Sequence, residues 1–314
     1  MTCRLREPGG LGPCATRIPP RPVRGNVAGM TTTSATSSTA TVHGRVDVGD
    51  AQLEYWERGP RDAPPVLLVH AGVFGEWFRP MFDEPALDGF RLVRVHRAGY
   101  GASSRPRTHL TLTDHARQCC RLLRELGIER GHWIGHSSSG CIGLQAALDE
   151  PDLVAGLVLL EPAPKPAGPA AEVLGREVIG PTMAAVGAGD FALAVDTFLR
   201  GVDGPGYRQV VAARLGDDAF ARIERDASFF FTDEIRASVE WSLDPKRASR
   251  ITTPTLIVTG GDSAGVTQVY DQTATLLAGM LPAARRVVLP GVSHSMPLQD
   301  PSGIARLVAA AVSG

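Results

Sequence analysis

The stretch His132-Trp133-Ile134-Gly135-His136-Ser137-Ser138-Ser139-Gly140 constrains the chain more than any other. A short apolar run ends at Gly135-His136-Ser137, and a helix-compatible segment, Cys141 to Leu148, follows at once. A strand that turns straight into a helix needs small residues around the turn, and Gly135 and Ser139 meet that need. A serine in such a turn sits at strained backbone angles with its hydroxyl exposed. The N–H of the next residue then lies at a helix N-terminus, where partial positive charge gathers. Ser137 is therefore a candidate nucleophile, and the Ser138 N–H is a candidate donor to a developing anion. Gly-Ser turns also serve as plain loops, so the surrounding chain has to decide.

Around this turn, apolar runs alternate with helical patterns. Val42 to Val48 and Leu53 to Glu57 alternate like a half-buried hairpin turned at Gly49-Asp50. Val66 to Val69 is a continuous apolar run, the pattern of a parallel strand buried on both faces, and Leu92 to His96, Leu157 to Glu161 and Thr255 to Thr259 are expected to be further buried strands. Thr111 begins a helix that runs to Leu126, with Gly127 as its stop. Helices also follow at Thr267 to Met280 and Ile304 to Val312, with a strand at Arg286 to Leu289. The spacing predicts an α/β fold: a mostly parallel sheet with helices on both faces. From Pro162 to about Arg250 no strand pattern occurs. Helices are expected at Ala192 to Leu199, Tyr207 to Leu215, Phe220 to Ala227 and Glu234 to Ser242. This block is expected to be an insertion above the carboxyl ends of the strands, where open sheets bind ligands. The expected organisation is a disordered tail over 1–41, a core of 42–161 with 251–314, and a helical cap over 162–250.

The tail rests on composition. Residues 1–24 are rich in Arg, Pro and Gly, and residues 31–41 are almost all Thr, Ser and Ala, with no apolar pattern to order them. Met30 is the alternative start. The 314 residues, 43% hydrophobic, can bury a large core. A net charge of −1 favours neither nucleic acid nor an anionic membrane as partner. No apolar run reaches the roughly 18 residues of a membrane span. The five cysteines (Cys3, Cys14, Cys119, Cys120 and Cys141) form neither a CxxC pair nor an even framework, which points to a reduced, cytoplasmic setting. His43, His109, His115 and His132 have no metal-like spacing, so no metal is expected.

Four motifs, in order, resemble those of the α/β-hydrolase superfamily over nearly all of residues 42–314. Gly135 to Gly140 looks like the nucleophile elbow, with Ser139 for its usual second glycine. His70-Ala71-Gly72 resembles the oxyanion loop, with Ala71 for the usual glycine. Arg97-Ala98-Gly99-Tyr100-Gly101-Ala102-Ser103 is similar to the Gly-x-Gly-x-Ser turn, preceded by His96 where many members carry Asp. Pro290 to Pro301 looks like the catalytic-histidine loop. The resemblance implies that Ser137 is the nucleophile and His294 its base, in the Ser-acid-His chain order. It implies an oxyanion hole from the Ser138 N–H and an N–H of Gly72 or Val73. His136 is expected to point away from Ser137, and His70 to be structural. The acid has two candidates. Counting from the glycine after the seventh strand puts Ser263 at the commonest place, with Asp262 one residue earlier. Some members carry the acid after the sixth strand, where Glu161 stands. Glu161 is the expectation and Asp262 the alternative.

The expected function is a cofactor-free serine hydrolase of an ester or lactone, forming an acyl-enzyme on Ser137. Lactone hydrolases resembling the zearalenone-degrading enzyme carry their acid at the Glu161 position. The partner is a small acyl substrate. Phe229, Phe230 and Trp241 are expected to line its site, or else to pack the insertion onto the core. The resemblance also leaves open a C–C bond hydrolase, a cofactor-free perhydrolase, or a small-molecule receptor without turnover. Substrate and oligomeric state have no signal in the sequence.

Overall fold

The computed structural model describes residues 40–165 and 168–314. Residues 1–39 of the expected tail, with Cys3, Cys14 and Met30, lie outside them. The sheet has eight strands in the order β1-β2-β4-β3-β5-β6-β7-β8. They are β1 Val42–Asp47, β2 Gln52–Arg58, β3 Pro65–Val69, β4 Arg91–Val95, β5 Gly131–His136, β6 Val154–Leu160, β7 Thr255–Gly260 and β8 Ala284–Leu289. β1 and β2 form the expected antiparallel hairpin, and β2 meets β4 antiparallel. All other neighbours are parallel. β3, β4 and β7 carry apolar residues on both faces because helices cover both. β8, at the edge, has only half-buried and exposed positions.

The helices are α1 Arg79–Phe82, α2 Leu112–Glu125, α3 Ser138–Asp149, α4 Pro169–Leu174, α5 Gly180–Gly187, α6 Phe191–Val202, α7 Tyr207–Leu215, α8 Ala219–Phe229, α9 Ile235–Glu240, α10 Pro245–Ala248, α11 Val269–Met280, α12 Met296–Gln299 and α13 Pro301–Ser313. α2 starts as its sequence requires. The Thr111 hydroxyl accepts the Asp114 N–H, and the Asp114 carboxylate accepts the Thr111 N–H. Between β6 and β7 the described residues hold helices and no strand. α6, α7 and α8 fall where expected. The helices of residues 169–187, joined by a π-helical stretch at Gly175–Ile179, match no pattern read from the sequence. A second π-helical turn, Phe230–Glu234, leads into α9. Among the described residues no helix is long and apolar enough to cross a membrane.

The strand order places the site. β3 lies between β4 and β5, so the chain leaves β3 in one direction and returns beyond it on the other side. A crevice opens at the carboxyl ends of the strands at such a switch point. The loops after β3, β5, β6, β7 and β8 all end there. One apolar cluster joins the loop after β3 (Val73, Phe74, Trp77) to the inner faces of α6 and α8 and to Phe229, Phe230 and Phe231.

Beside the crevice, His96 sits between two carboxylates. Its Nδ1 is 2.9 Å from Glu54 Oε2, and its Nε2 is 2.9 Å from Glu76 Oε1. Burial alone would raise both acids. The His96 bonds, with the Ala102 N–H and His43 on Glu54 and Arg94 on Glu76, hold each at about 2. Burial alone would lower His96, but the two acids outweigh it and raise it. Its contribution to stability is therefore complete below the unfolded value, about 6.5, and is lost as pH rises through the higher folded value. The acids contribute above their unfolded value of 4.5, and this is lost as pH falls toward about 2. The cluster is thus fully formed between roughly pH 4.5 and 6.5. His96→Gln is expected to cost about 3 kcal/mol there, read as a shift in the urea midpoint, with a smaller shift at pH 3 and at high pH. A shift independent of pH would contradict this account.

Candidate active site

Ser137 joins β5 to α3 at φ 56° and ψ −122°. That backbone conformation is costly for any residue with a Cβ, and it persists only where the surroundings enforce it. Here they do. The Ser137 N–H donates to the Leu160 carbonyl at 2.9 Å, and its carbonyl accepts from the Gly140 and Ala163 N–H groups. A Cβ at Gly135 would overlap the Ser139 carbonyl, so only glycine fits before the turn. Ser139 is fully buried, and its hydroxyl donates to the His70 carbonyl at 2.5 Å, tying the turn to the loop after β3. The serine that replaces the usual glycine thus has a bond of its own.

The loop after β3 has an unusual backbone as well. Val73 lies at φ 72°. The Gly72 carbonyl accepts from Trp77 Nε1 at 2.9 Å and from the Phe74 N–H at 3.0 Å. A trans peptide points its N–H opposite to its carbonyl, so this turns the Val73 N–H away from Trp77. Among the described residues the Val73 and Ser138 N–H groups have no backbone partner. Ser138 is the first residue of α3, so its N–H is free by position. The Phe230 ring lies over Gly72, where any Cβ would overlap it. His70 ties this loop to the next. Its Nδ1 is 2.6 Å from the Ala71 carbonyl, and its Nε2 accepts the Arg97 N–H at 3.0 Å. Burial and then the Arg97 charge hold it well below the usual histidine range, so it is neutral.

His294 Nδ1 is 2.8 Å from Glu161 Oε2. Glu161 follows β6, between β5 and β7, and is fully buried at φ 40°. Its other oxygen accepts the Gly260 N–H at 2.8 Å and the Ser263 hydroxyl at 2.5 Å. Ser263, at the place where the acid commonly stands, therefore serves the glutamate across the sheet. Asp262 is exposed, and its carboxyl makes no hydrogen bond among the described residues. Among the described residues only Val73, Ser137 and Glu161 are non-glycine residues at positive φ, and all three meet in this crevice. Neither Ser137 Oγ nor His294 Nε2 has a hydrogen bond among the described residues; in unliganded sites such contacts often tighten only around substrate.

Several contacts here carry little or no sequence signal. His136 Nε2 is 2.9 Å from the His294 carbonyl. Burial and His294 keep His136 neutral, so Nε2–H donates. Asp203, at the end of α6, accepts from the Ser293 hydroxyl at 2.7 Å, the Ser295 N–H at 2.7 Å and the Ser295 hydroxyl. A carboxylate of the insertion thus holds both neighbours of His294. Glu234, fully buried, accepts a two-pronged bond from Arg97 at 2.9 Å on each arm, with further bonds from the Tyr100 hydroxyl and Ser138 Oγ, the latter at 2.7 Å. Glu234 stands four residues after Phe230 and three after Phe231, on one helical face. An acid on an apolar face must be paired, and that spacing was the available clue.

The three aromatic candidates separate. Phe230 lies against Gly72. Phe229 packs instead on Gly99 and the edge of Tyr100. Trp241 joins the cluster beneath α3, and its Nε1 donates to Gln145 at 2.9 Å, away from Phe229 and Phe230. Of the two expectations for Trp241, these contacts fit packing of the insertion onto the core. Cys119, Cys120 and Cys141 are buried, and burial pushes their thiols up, Cys119 to about 12. They are poor nucleophiles.

The alpha/beta hydrolase fold family matches residues 64–184. The protein named "Putative carbamate hydrolase RutD" of Variovorax paradoxus is 29% identical over 214 residues, 68% of this chain and 79% of that one. A segment of 117 residues, 37% of this chain, is 32% identical to the acetyltransferase component of the acetoin cleaving system of Cupriavidus necator, of which it spans 31%. The enol-lactonase of Burkholderia xenovorans superposes with a TM-score of 0.70 at 21% identity, covering 86% of this chain and all of that one.

Proposed function

We propose that the chain, which matches the alpha/beta hydrolase fold family over residues 64–184, is a serine hydrolase that cleaves an ester or lactone through an acyl-enzyme. The contact between His294 Nδ1 and Glu161 Oε2, 2.8 Å long and buried beside the strained Ser137, carries this reading. A base held by an acid next to a half-buried serine is the arrangement that activates a hydroxyl otherwise too weak to attack. Ser137 Oγ attacks the carbonyl carbon as its proton passes to His294 Nε2. The carbonyl oxygen, now negative, receives the Val73 and Ser138 N–H groups, two fixed dipoles aimed where charge develops. The tetrahedral adduct collapses, and His294 gives its proton to the leaving alkoxide. In a lactone the alkoxide stays tethered to the acyl group. Water, giving a proton to His294, then attacks the acyl-enzyme; the Oγ–acyl bond breaks, the acid leaves, and His294 returns that proton to Ser137 Oγ. The Glu161 carboxylate accepts the Nδ1–H of His294 throughout, which holds that proton on the ring and steadies the imidazolium.

Residues 162–250 act as a cap in this reading, with Phe230 over the oxyanion loop presenting an apolar wall to the acyl chain. The name of the Variovorax relative extends the class to carbamates, whose carbonyl is attacked in the same way. A panel of p-nitrophenyl esters and lactones tests the proposal. Steady multiple turnover of at least one, lost in Ser137→Ala, is the expected result. Stoichiometric binding with a thermal shift and no product would make the protein a receptor instead.

A further inference from the structure

The His294 ring has a neighbour that the proposed chemistry leaves without a role. Tyr270, in the first turn of α11, is buried and stacks flat on the imidazole, with ring centres 4.4 Å apart and planes 11° from parallel. His136 approaches the same imidazole at 4.7 Å, tilted by 47°. We propose that Tyr270 is a positioning residue for His294: its ring face fixes the plane of the imidazole and stabilises the imidazolium that forms when the serine proton arrives. The inference rests on the serine-hydrolase reading, in which His294 is the base.

The geometry separates orientation from charge. The Glu161 bond to Nδ1 fixes one edge of the ring but leaves it free to rock about that bond. The His136 and Asp203 bonds hold the backbone and neighbours of His294, not its ring. A flat aromatic face against the imidazole removes the rocking motion. It also places the negative side of a ring quadrupole beside the cation that forms as the serine proton arrives, within the roughly 6 Å over which a ring face attracts positive charge. A group that favours the charged form only when it appears accelerates the step. The charged and titratable groups around His294 are Glu161 from β6, His136 from β5, Asp203 from α6 and Tyr270 itself. His136 is neutral. Burial, then Glu161 and Asp203, push the Tyr270 phenol well above its usual range, so the stacked ring is neutral too. Its hydroxyl has no hydrogen bond among the described residues, so the ring face is the part in use.

The test reads the rate at which a fluorophosphonate probe labels full-length protein from pH 5 to 9, which needs no knowledge of the substrate. Tyr270→Leu, checked for folding by its melt, is expected to be labelled about tenfold more slowly. The acidic limb of its rate profile should move to lower pH, because an imidazolium without the ring face gives up its proton more readily. Tyr270→Phe keeps the face and is expected to retain most of the rate, with an unmoved limb. If Tyr270→Leu does not fold, Tyr270→Met is read by the same criteria. A slower rate with an unmoved limb, or a limb moved to higher pH as water enters, would reduce Tyr270 to packing and overturn the proposal. So would a Phe variant as slow as the Leu one. His294→Ala labelled at the wild-type rate would instead overturn the serine-hydrolase reading, and this inference with it.

Discussion

Glu161→Gln is expected to lower kcat by roughly 10³- to 10⁴-fold in a protein that stays folded. The hydrogen bonds around the carboxyl dictate the size of the loss. One oxygen accepts from the Gly260 N–H and the Ser263 hydroxyl, and the other accepts the His294 Nδ1 proton. A glutamine keeps its carbonyl toward the Gly260 N–H, because its amide nitrogen cannot accept there. Its NH₂ then faces His294 Nδ1. The imidazole answers by moving its proton to Nε2, which leaves no lone pair to take the proton of Ser137. Asp262→Asn changes an exposed side chain with no bond to His294, and turnover should stay near normal. Steady-state kinetics of both variants on one ester decide between the two acids. An inactive Asp262→Asn beside an active Glu161→Gln would place the acid after β7.

The largest effect on stability is expected at Glu234. Glu234→Ala leaves the Arg97 guanidinium fully buried without its partner, and Tyr100 and Ser138 without their acceptor. Burial alone would raise Glu234, but Arg97, His115 and Tyr100 outweigh it and hold the carboxyl below its usual range, so the lost partner is a charge. Removing one member of a buried pair costs about 3–5 kcal/mol. At roughly 1.5–2 °C per kcal/mol in a chain of this size, the melting temperature should fall by about 5–9 °C. The double variant Arg97→Met/Glu234→Leu removes both charges and should recover a large part of the loss, since a buried pair contributes little beyond what apolar packing supplies. Thermal melts of the three proteins check this. A Glu234→Ala protein as stable as the parent would show that Arg97 finds another partner.

Much of the sheet was legible because buried parallel strands leave continuous apolar runs, as at Val66 to Val69. Thr111 and Asp114 marked the start of α2 because a capping box is a local signal. The helices of residues 169–187 carried no such mark. Gly168, Gly175, Gly180 and Gly187 punctuate them, and a π-helical stretch breaks the 3.6-residue period. In the site, Ser137 and Gly135 stood out because a strained turn dictates which residues fit around it. The contacts of Asp203, Glu234 and Tyr270 could not be read that way. Each is one ordinary residue of a helical segment, brought to the crevice by tertiary packing across sequence separations of 24 to 137 residues. Ser263 was placed correctly by counting, but its bond to Glu161 depends on two strand ends meeting side by side.

The most direct test of the central claim is peptide mapping after reaction with a fluorophosphonate. The adjacent Ser137, Ser138 and Ser139 are separated by fragmentation within a single peptide. Ser138 Oγ is bound to Glu234 and Ser139 Oγ to the His70 carbonyl, which leaves Ser137, among the described residues, as the hydroxyl of this turn without a hydrogen bond. One adduct per chain is expected, on Ser137, absent from Ser137→Ala and formed far more slowly in Glu161→Gln. Labelling on Ser138 or Ser139, or labelling that survives Ser137→Ala, would contradict the account.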